Sequence, residues 1–252
     1  MASKRTAHLF PELALKERLL ISAERDIALH SLPGSRIQRV VKDAGSANIS
    51  AIRYHYGDMA RLQDAVFFYR YKAINRYADI ISQRWSAEVG EHMRLQHYVF
   101  AIFAPRCLII YHTLPAAYYC ACAEQLEILK PDRINSQDRY PWFAPLRNAF
   151  AGLYSLLSKQ LGGDVALERL QLVAPLTAGM LTQRERKLRE AFERDELNRA
   201  DAAAELSRFA SGVAESLSAS LLREHYEPVD TDFSSVFSDL IAISPEWFLE
   251  QT

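Results

Sequence analysis

Glycine and proline are scarce, 9 and 10 among 252 residues. No NG or DG turn joins alternating apolar segments, and the one GG pair, in LGGD at Leu161–Asp164, falls between helical patterns. Hairpins, sandwiches and barrels depend on such turns, so their scarcity argues against a β fold. Long apolar runs are missing too. The best candidate, YVFAIFAPRCLIIYHTL, is interrupted by Pro105 and Arg106 and falls short of the roughly 18 residues that span a bilayer. The opening MASKRTAHLFPEL lacks the apolar stretch and cleavage site of a signal peptide. Three cysteines, Cys107, Cys120 and Cys122, make an odd set with no framework spacing. A reduced, cytoplasmic protein is the expectation. Enzyme signatures are absent as well: no G-x-S-x-G, no H-E-x-x-H and no phosphate-binding glycine loop. His92 and His97 are five apart, off metal-ligand spacing. We therefore expect no enzyme activity, no cofactor and no metal.

What is present is helix. Hydrophobic residues make up 49% of the chain, and they recur at helical rather than strand spacing. The fold class expected is all-α. A first helix is expected from Pro11 to about Leu32, with Leu15, Leu19, Ala23, Ile27 and Leu29 on its apolar side. PGS stops it. Ser35 then stands as an N-cap with Gln38 as its capping-box partner, opening a second helix on Ile37, Val40, Val41 and Ala44 that ends at Gly45. Asn48 caps a third helix, Gly57 ends it, and Asp58 caps a long fourth from Met59 to about Trp85. Further helices are expected at about 91–103, 106–129, 142–161, 164–193 and 201–226, with a short one at 232–243 and a polar connection from Pro131 to Pro141. Pro175 should kink the 164–193 helix. Two domains follow, 1–62 and 63–252.

The near-zero net charge of −1 hides a polarity. Residues 1–62 carry ten Lys and Arg against six Asp and Glu, whereas the remainder carries an excess of five negative charges. A basic head on an acidic body suits an anionic partner at one end, although chance surface variation gives the same totals. Within the head, two short helices joined by about four residues containing a glycine match helix-turn-helix spacing. An ordinary αα corner has that spacing too.

The third helix carries more information. SANISAIRYHYG packs Arg53, Tyr54, His55 and Tyr56 side by side. Placing Ile49, Ile52 and Tyr56 on the buried face leaves Ser50, Ala51 and Tyr54 outward and Arg53 and His55 on the flanks. Small residues permit close approach to DNA, Arg53 can reach a guanine edge, and Tyr54 and His55 can donate to phosphates. Aromatic packing between helices is the competing explanation, expected for Tyr56.

In order and spacing, Lys16–Leu32, then SRIQRVVKDAGS, then SAIRYHYG followed by Leu62, resemble the DNA-binding domain of TetR-family transcriptional repressors. The likeness covers about residues 13–70. It implies an all-α homodimer with an N-terminal helix-turn-helix domain and a C-terminal ligand-binding and dimerisation domain. It implies base contacts at Asn48, Ile49, Ser50 and Arg53, and backbone contacts at Ser35, Arg36, Tyr54 and His55. The sequence departs from the family at the turn GSAN, one residue longer than the commonest form, and at Val41, where Ala is usual. Met59 replaces a frequent Lys, with Arg61 nearby as a partial substitute for its phosphate contact.

The C-terminal region has no motif of its own. Its aromatic residues include Phe103, Tyr111, His112, Tyr118, Tyr119, Trp142, Phe143, Phe150 and Tyr154. They suit either ordinary core or a pocket for a small, largely apolar effector; the pocket follows mainly from the resemblance. Leu206, Phe209, Val213, Leu217 and Leu221 form a helical stripe with small neighbours. It suits either intramolecular core or, as the resemblance implies, a dimer bundle with the 164–193 helix. The long fourth helix is the expected link from effector pocket to head. The partners expected are an operator in double-stranded DNA, a second copy of the chain and a small-molecule effector. The rival function is a ligand- or redox-sensing helical protein without operator binding, with Cys120, Cys122 and His112 as its sensor.

Overall fold

A computed structural model describes residues 5–129, 143–222 and 232–243. All regular structure among them is helical. The chain opens with α1 (Thr6–Leu9) and α2 (Leu15–His30), followed by the short pair α3 (Ile37–Asp43) and α4 (Ser50–Tyr56). Then come α5 (Met59–Glu88), α6 (Leu95–Thr113) and α7 (Tyr119–Leu129). The remainder is α8 (Ala144–Leu161), α9 (Gly163–Glu193), α10 (Arg199–Leu222) and α11 (Phe233–Ile241).

One contiguous core runs from Leu19 in α2 to Leu240 in α11. Its axis is α6, which is apolar on every side: Val99, Phe100, Phe103, Cys107, Leu108 and Ile110 are all buried. α5, α8 and α10 pack around it. The small residues Ala210 and Ala214, both fully buried, line the α10 side, where they permit close helix approach. α5 belongs to both ends of the molecule. Its start shares core with α2 through Leu62 and Val66, and its later turns join Trp85 to Phe100 and Phe233.

Several expectations need correction. The first helix does not begin at Pro11. A turn separates α1 from α2, and the Glu17 carboxylate accepts the Ala14 N–H at 2.8 Å beside the start of α2. Leu29 is exposed, not core. The expected break at Pro105 is also absent, and α6 continues through it to Thr113. A helix buried all round has no polar stripe to show its continuity, and the proline looked like an end. Arg106 donates from its side chain to the Ile102 carbonyl at 3.0 Å in the turn containing Pro105. α9 is likewise continuous through Pro175. The Pro131–Pro141 connection and the end of the 201–226 helix lie outside the described residues.

Candidate nucleic-acid interface

α3, a tight turn and α4 build a corner on the head. Val40 and Val41 of α3, Ala44 at its C-cap, and Ala51 and Ile52 of α4 are buried, in the same core as Leu19, Ala23 and Ile27 of α2. Gly45 ends α3 with φ +75°, a left-handed conformation that glycine adopts without strain. The Ser46 N–H reaches back to the Val41 carbonyl at 3.0 Å and closes the helix end. Asn48 then opens α4, its side-chain oxygen accepting the Ser50 N–H at 2.9 Å. Gly57, at φ +88°, ends α4, and Asp58 accepts the Arg61 N–H at 2.8 Å to start α5. The expected stops at Gly45 and Gly57 and the cap at Asp58 are therefore present, while Asn48 bonds into α4 from one position before its N-cap, Ile49.

The phase of α4 differs from expectation. Ile49 is 54% exposed and Ala51 only 5%, the reverse of the sequence reading. The inward residues are Ala51, Ile52, His55 and Tyr56, and the outward ones Ser50, Arg53 and Tyr54, with Ile49 at the helix entrance. Tyr56 packs inward as expected and donates its hydroxyl to the Lys16 carbonyl at 2.7 Å, tying α4 to α2. Tyr54 is 85% exposed and meets the half-buried His55 ring edge-on, 4.8 Å between centroids. Arg53 is exposed and makes no ion pair among the described residues. The ridge Ile49–Ser50–Arg53–Tyr54 is thus open, with Arg61 exposed beyond Gly57.

A different residue from the one expected caps α3. Ser35 does not form a capping box with Gln38. Asp26, on α2, accepts the Arg36 N–H at 2.9 Å and the Ser35 hydroxyl at 2.8 Å, and Arg39 Nε at 2.6 Å. Burial pushes the Asp26 carboxyl up, but the hydrogen bonds from Arg39, the Arg36 N–H and Ser35 outweigh it and hold it below its ordinary range. Asp43 at the far end of α3 accepts from Arg25 at 2.6 Å and from the Thr6 hydroxyl at 2.6 Å. Glu24 is buried against Arg70 at 3.0 Å. Five of the head's six carboxylates, Glu17, Glu24, Asp26, Asp43 and Asp58, are therefore spent on caps and internal bridges. Arg53, with Arg36 and Arg61, is left at the surface. Charge counting could not find the Asp26 and Asp43 hubs, because these partners are 9 to 37 residues away.

The head is also tied to the body by a path the sequence reading missed. Tyr118 stands between two guanidinium groups, Arg25 of α2 at 5.6 Å and Arg189 of α9 at 4.2 Å from its ring centre. Glu185 of α9 accepts the backbone N–H groups of Cys120 at 2.8 Å and Ala121 at 3.0 Å, holding the first turn of α7. Burial pushes this carboxyl up to about 7 against those two donors. α7 packs on α2. So α5 is not the sole link between the two ends.

The aromatic residues named as pocket lining do not form one group. Phe103 meets Phe209, Phe143 stacks on Tyr71, Tyr111 meets His112 edge-on, and Tyr118 sits at the head joint. Tyr119 is buried, Phe150 half-buried and Tyr154 exposed, while Trp142 lies outside the described residues. Burial, with Arg199 nearby, pulls His112 down to about 4, so its imidazole is neutral at neutral pH. Burial likewise pushes the thiols of Cys107, Cys120 and Cys122 up, which favours inert thiols over reactive thiolates. No cluster of three or more His, Cys, Asp or Glu among the described residues is placed to hold a metal ion. None of the described helices is long and apolar enough to cross a membrane.

The α10 stripe divides. Leu206, Val213 and Leu221 are buried within the chain and so leave no surface for a partner. Phe209 and Leu217 remain half-buried and line an open groove with Met180 of α9. Leu172 and Leu176, two turns and one turn before Met180, are 60% and 56% exposed. Comparison with protein-family models, curated proteins and solved structures finds no match.

Proposed function

We propose that the chain is a DNA-binding transcriptional regulator of the TetR type, with the α3–turn–α4 corner as its helix-turn-helix and α4 as the helix that enters the major groove. The observation that carries this reading is the open ridge of α4. It pairs a cation without an internal partner, Arg53, with an 85% exposed phenol, Tyr54, on a helix whose other face is locked into core. A surface phenol and guanidinium contribute little to folding, whereas both can bond to bases and phosphates. Asn48, Ile49 and Ser50 flank the same ridge, and Ser35 and Arg36 lie at the start of α3. The protein acts as a homodimer through the apolar α9–α10 face, and a small apolar effector in the body releases it from a near-palindromic operator. The α7–Tyr118–Arg25 joint and α5 are the routes by which such an effector would reposition the heads.

Gel-shift titration on DNA flanking the protein's own gene tests the reading. The wild type should select one segment over random duplex. Arg53→Ala should lose about 1–3 kcal/mol of discrimination at one base position. Equal affinity for flanking and random DNA, unchanged by Arg53→Ala, would overturn it and leave a helical sensor without operator binding.

A further inference from the structure

A cavity of about 280 Å³ opens on the head, bounded by Arg5, α2 and α3. Arg5, Arg25, Arg39 and Lys42 line it, with His30 beside them and Leu29 as an apolar wall. Two carboxylates share the lining, Asp26 and Asp43. Both are already neutralised: Asp26 by Arg39 at 2.6 Å and Asp43 by Arg25 at 2.6 Å. Arg5 and Lys42 make no ion pair among the described residues and leave the cavity with two excess positive charges before His30 is counted. Ser22 also lines the cavity. Ser22 is 1% exposed, and its buried oxygen has no hydrogen-bond partner among the described residues. A buried hydroxyl without a partner is costly, and an oxyanion reaching it would remove that cost by accepting from it.

We propose that this cavity is a binding site for a phosphate group, held by Lys42, Arg5 and the Ser22 hydroxyl, with Arg25 and Arg39 fixed as its walls by the two aspartates. The ligand's phosphate neutralises the surplus charge, and Leu29 accepts any small apolar part attached to it. The site joins three segments, the arm at Arg5, α2 and α3, so an occupied site stiffens the head. It does not depend on the α4 ridge. The phosphate comes either from a free small molecule or from a nucleic-acid backbone.

Calorimetric titration of the full chain with inorganic phosphate at low ionic strength tests this. Saturable one-site binding is expected. Lys42→Gln, at an exposed position, should weaken it about tenfold. Ser22→Ala should also weaken it while leaving the melting temperature equal or higher, because the unpaired hydroxyl is gone. Lys72→Gln, which removes an exposed charge on α5, should leave binding unchanged. Repeating the titration with duplex DNA separates the sources: competition assigns the site to backbone phosphate, and undisturbed binding to a free phosphate compound. No saturable binding, or equal weakening by Lys72→Gln, overturns the proposal. Neither result bears on DNA binding through Arg53.

Discussion

Glu24→Gln is expected to destabilise the protein by about 3–5 kcal/mol, the cost of breaking a buried ion pair from one side. Arg70 is 4% and Glu24 1% exposed at the side chain, with Nε–Oε2 at 3.0 Å and Nη2–Oε1 at 3.4 Å. The pair links α2 to α5 across 46 residues. Burial alone would pull the Arg70 guanidinium down, yet Glu24 holds it above its ordinary value. Gln keeps the shape but removes the charge that offsets desolvation of the guanidinium. The double variant Glu24→Leu with Arg70→Met removes both charges, and should recover most of the loss, since apolar packing replaces a buried pair at little cost. Urea and thermal unfolding, each followed by circular dichroism, are the assays. Melting should fall by roughly 6–20 °C in the single variant, at about 2–4 °C per kcal/mol for a chain of this size. If the double variant is no more stable than the single, the loss is not an unpaired charge and the electrostatic argument fails.

Two further outcomes follow from the body of the molecule. Glu185 titrates about 7 when folded against an ordinary value of 4.5, so the folded state holds its proton more tightly. Its contribution to stability is complete below about pH 4.5 and is lost as pH rises through about 7. Glu185→Gln should flatten that loss, read as melting temperature against pH; parallel curves for variant and wild type would contradict it. The second concerns Leu176, 56% exposed on α9. For the proposed dimer, wild type should scatter as twice the 28.7 kDa chain and Leu176→Glu as nearer one chain; a monomeric wild type would contradict the dimer, and an unchanged dimer would move the interface elsewhere.

What could be read from the sequence was local and what could not was mostly long-range. Gly45, Asn48, Gly57 and Asp58 announced the ends of α3, α4 and α5, because each meets its backbone partner within a few residues. The phase of α4 was misread because seven residues hold only two turns, and Ile49, the most apolar residue near its start, took the place of Ala51 in the pattern. Pro105 was misread because α6 is apolar on all sides. The Leu206–Leu221 stripe admitted core or interface, and burial places Leu206, Val213 and Leu221 in the core while leaving Phe209 and Leu217 at the groove. The hubs of Asp26, Glu24 and Glu185 join residues 9 to 65 apart, which only the folded chain reveals. The exposure of Arg53 and Tyr54 on α4 was legible from the crowded run, whereas His55 turned inward.

The most direct test of the central claim is selection of duplexes from a random-sequence pool by the full-length protein. The account predicts enrichment of one near-palindromic sequence whose half-sites lie about 34–36 Å apart, or a multiple of that. It also predicts that Arg53→Ala enriches the same sequence with one position in each half-site relaxed. A pool that emerges as random as it began would contradict the claim that α4 reads DNA.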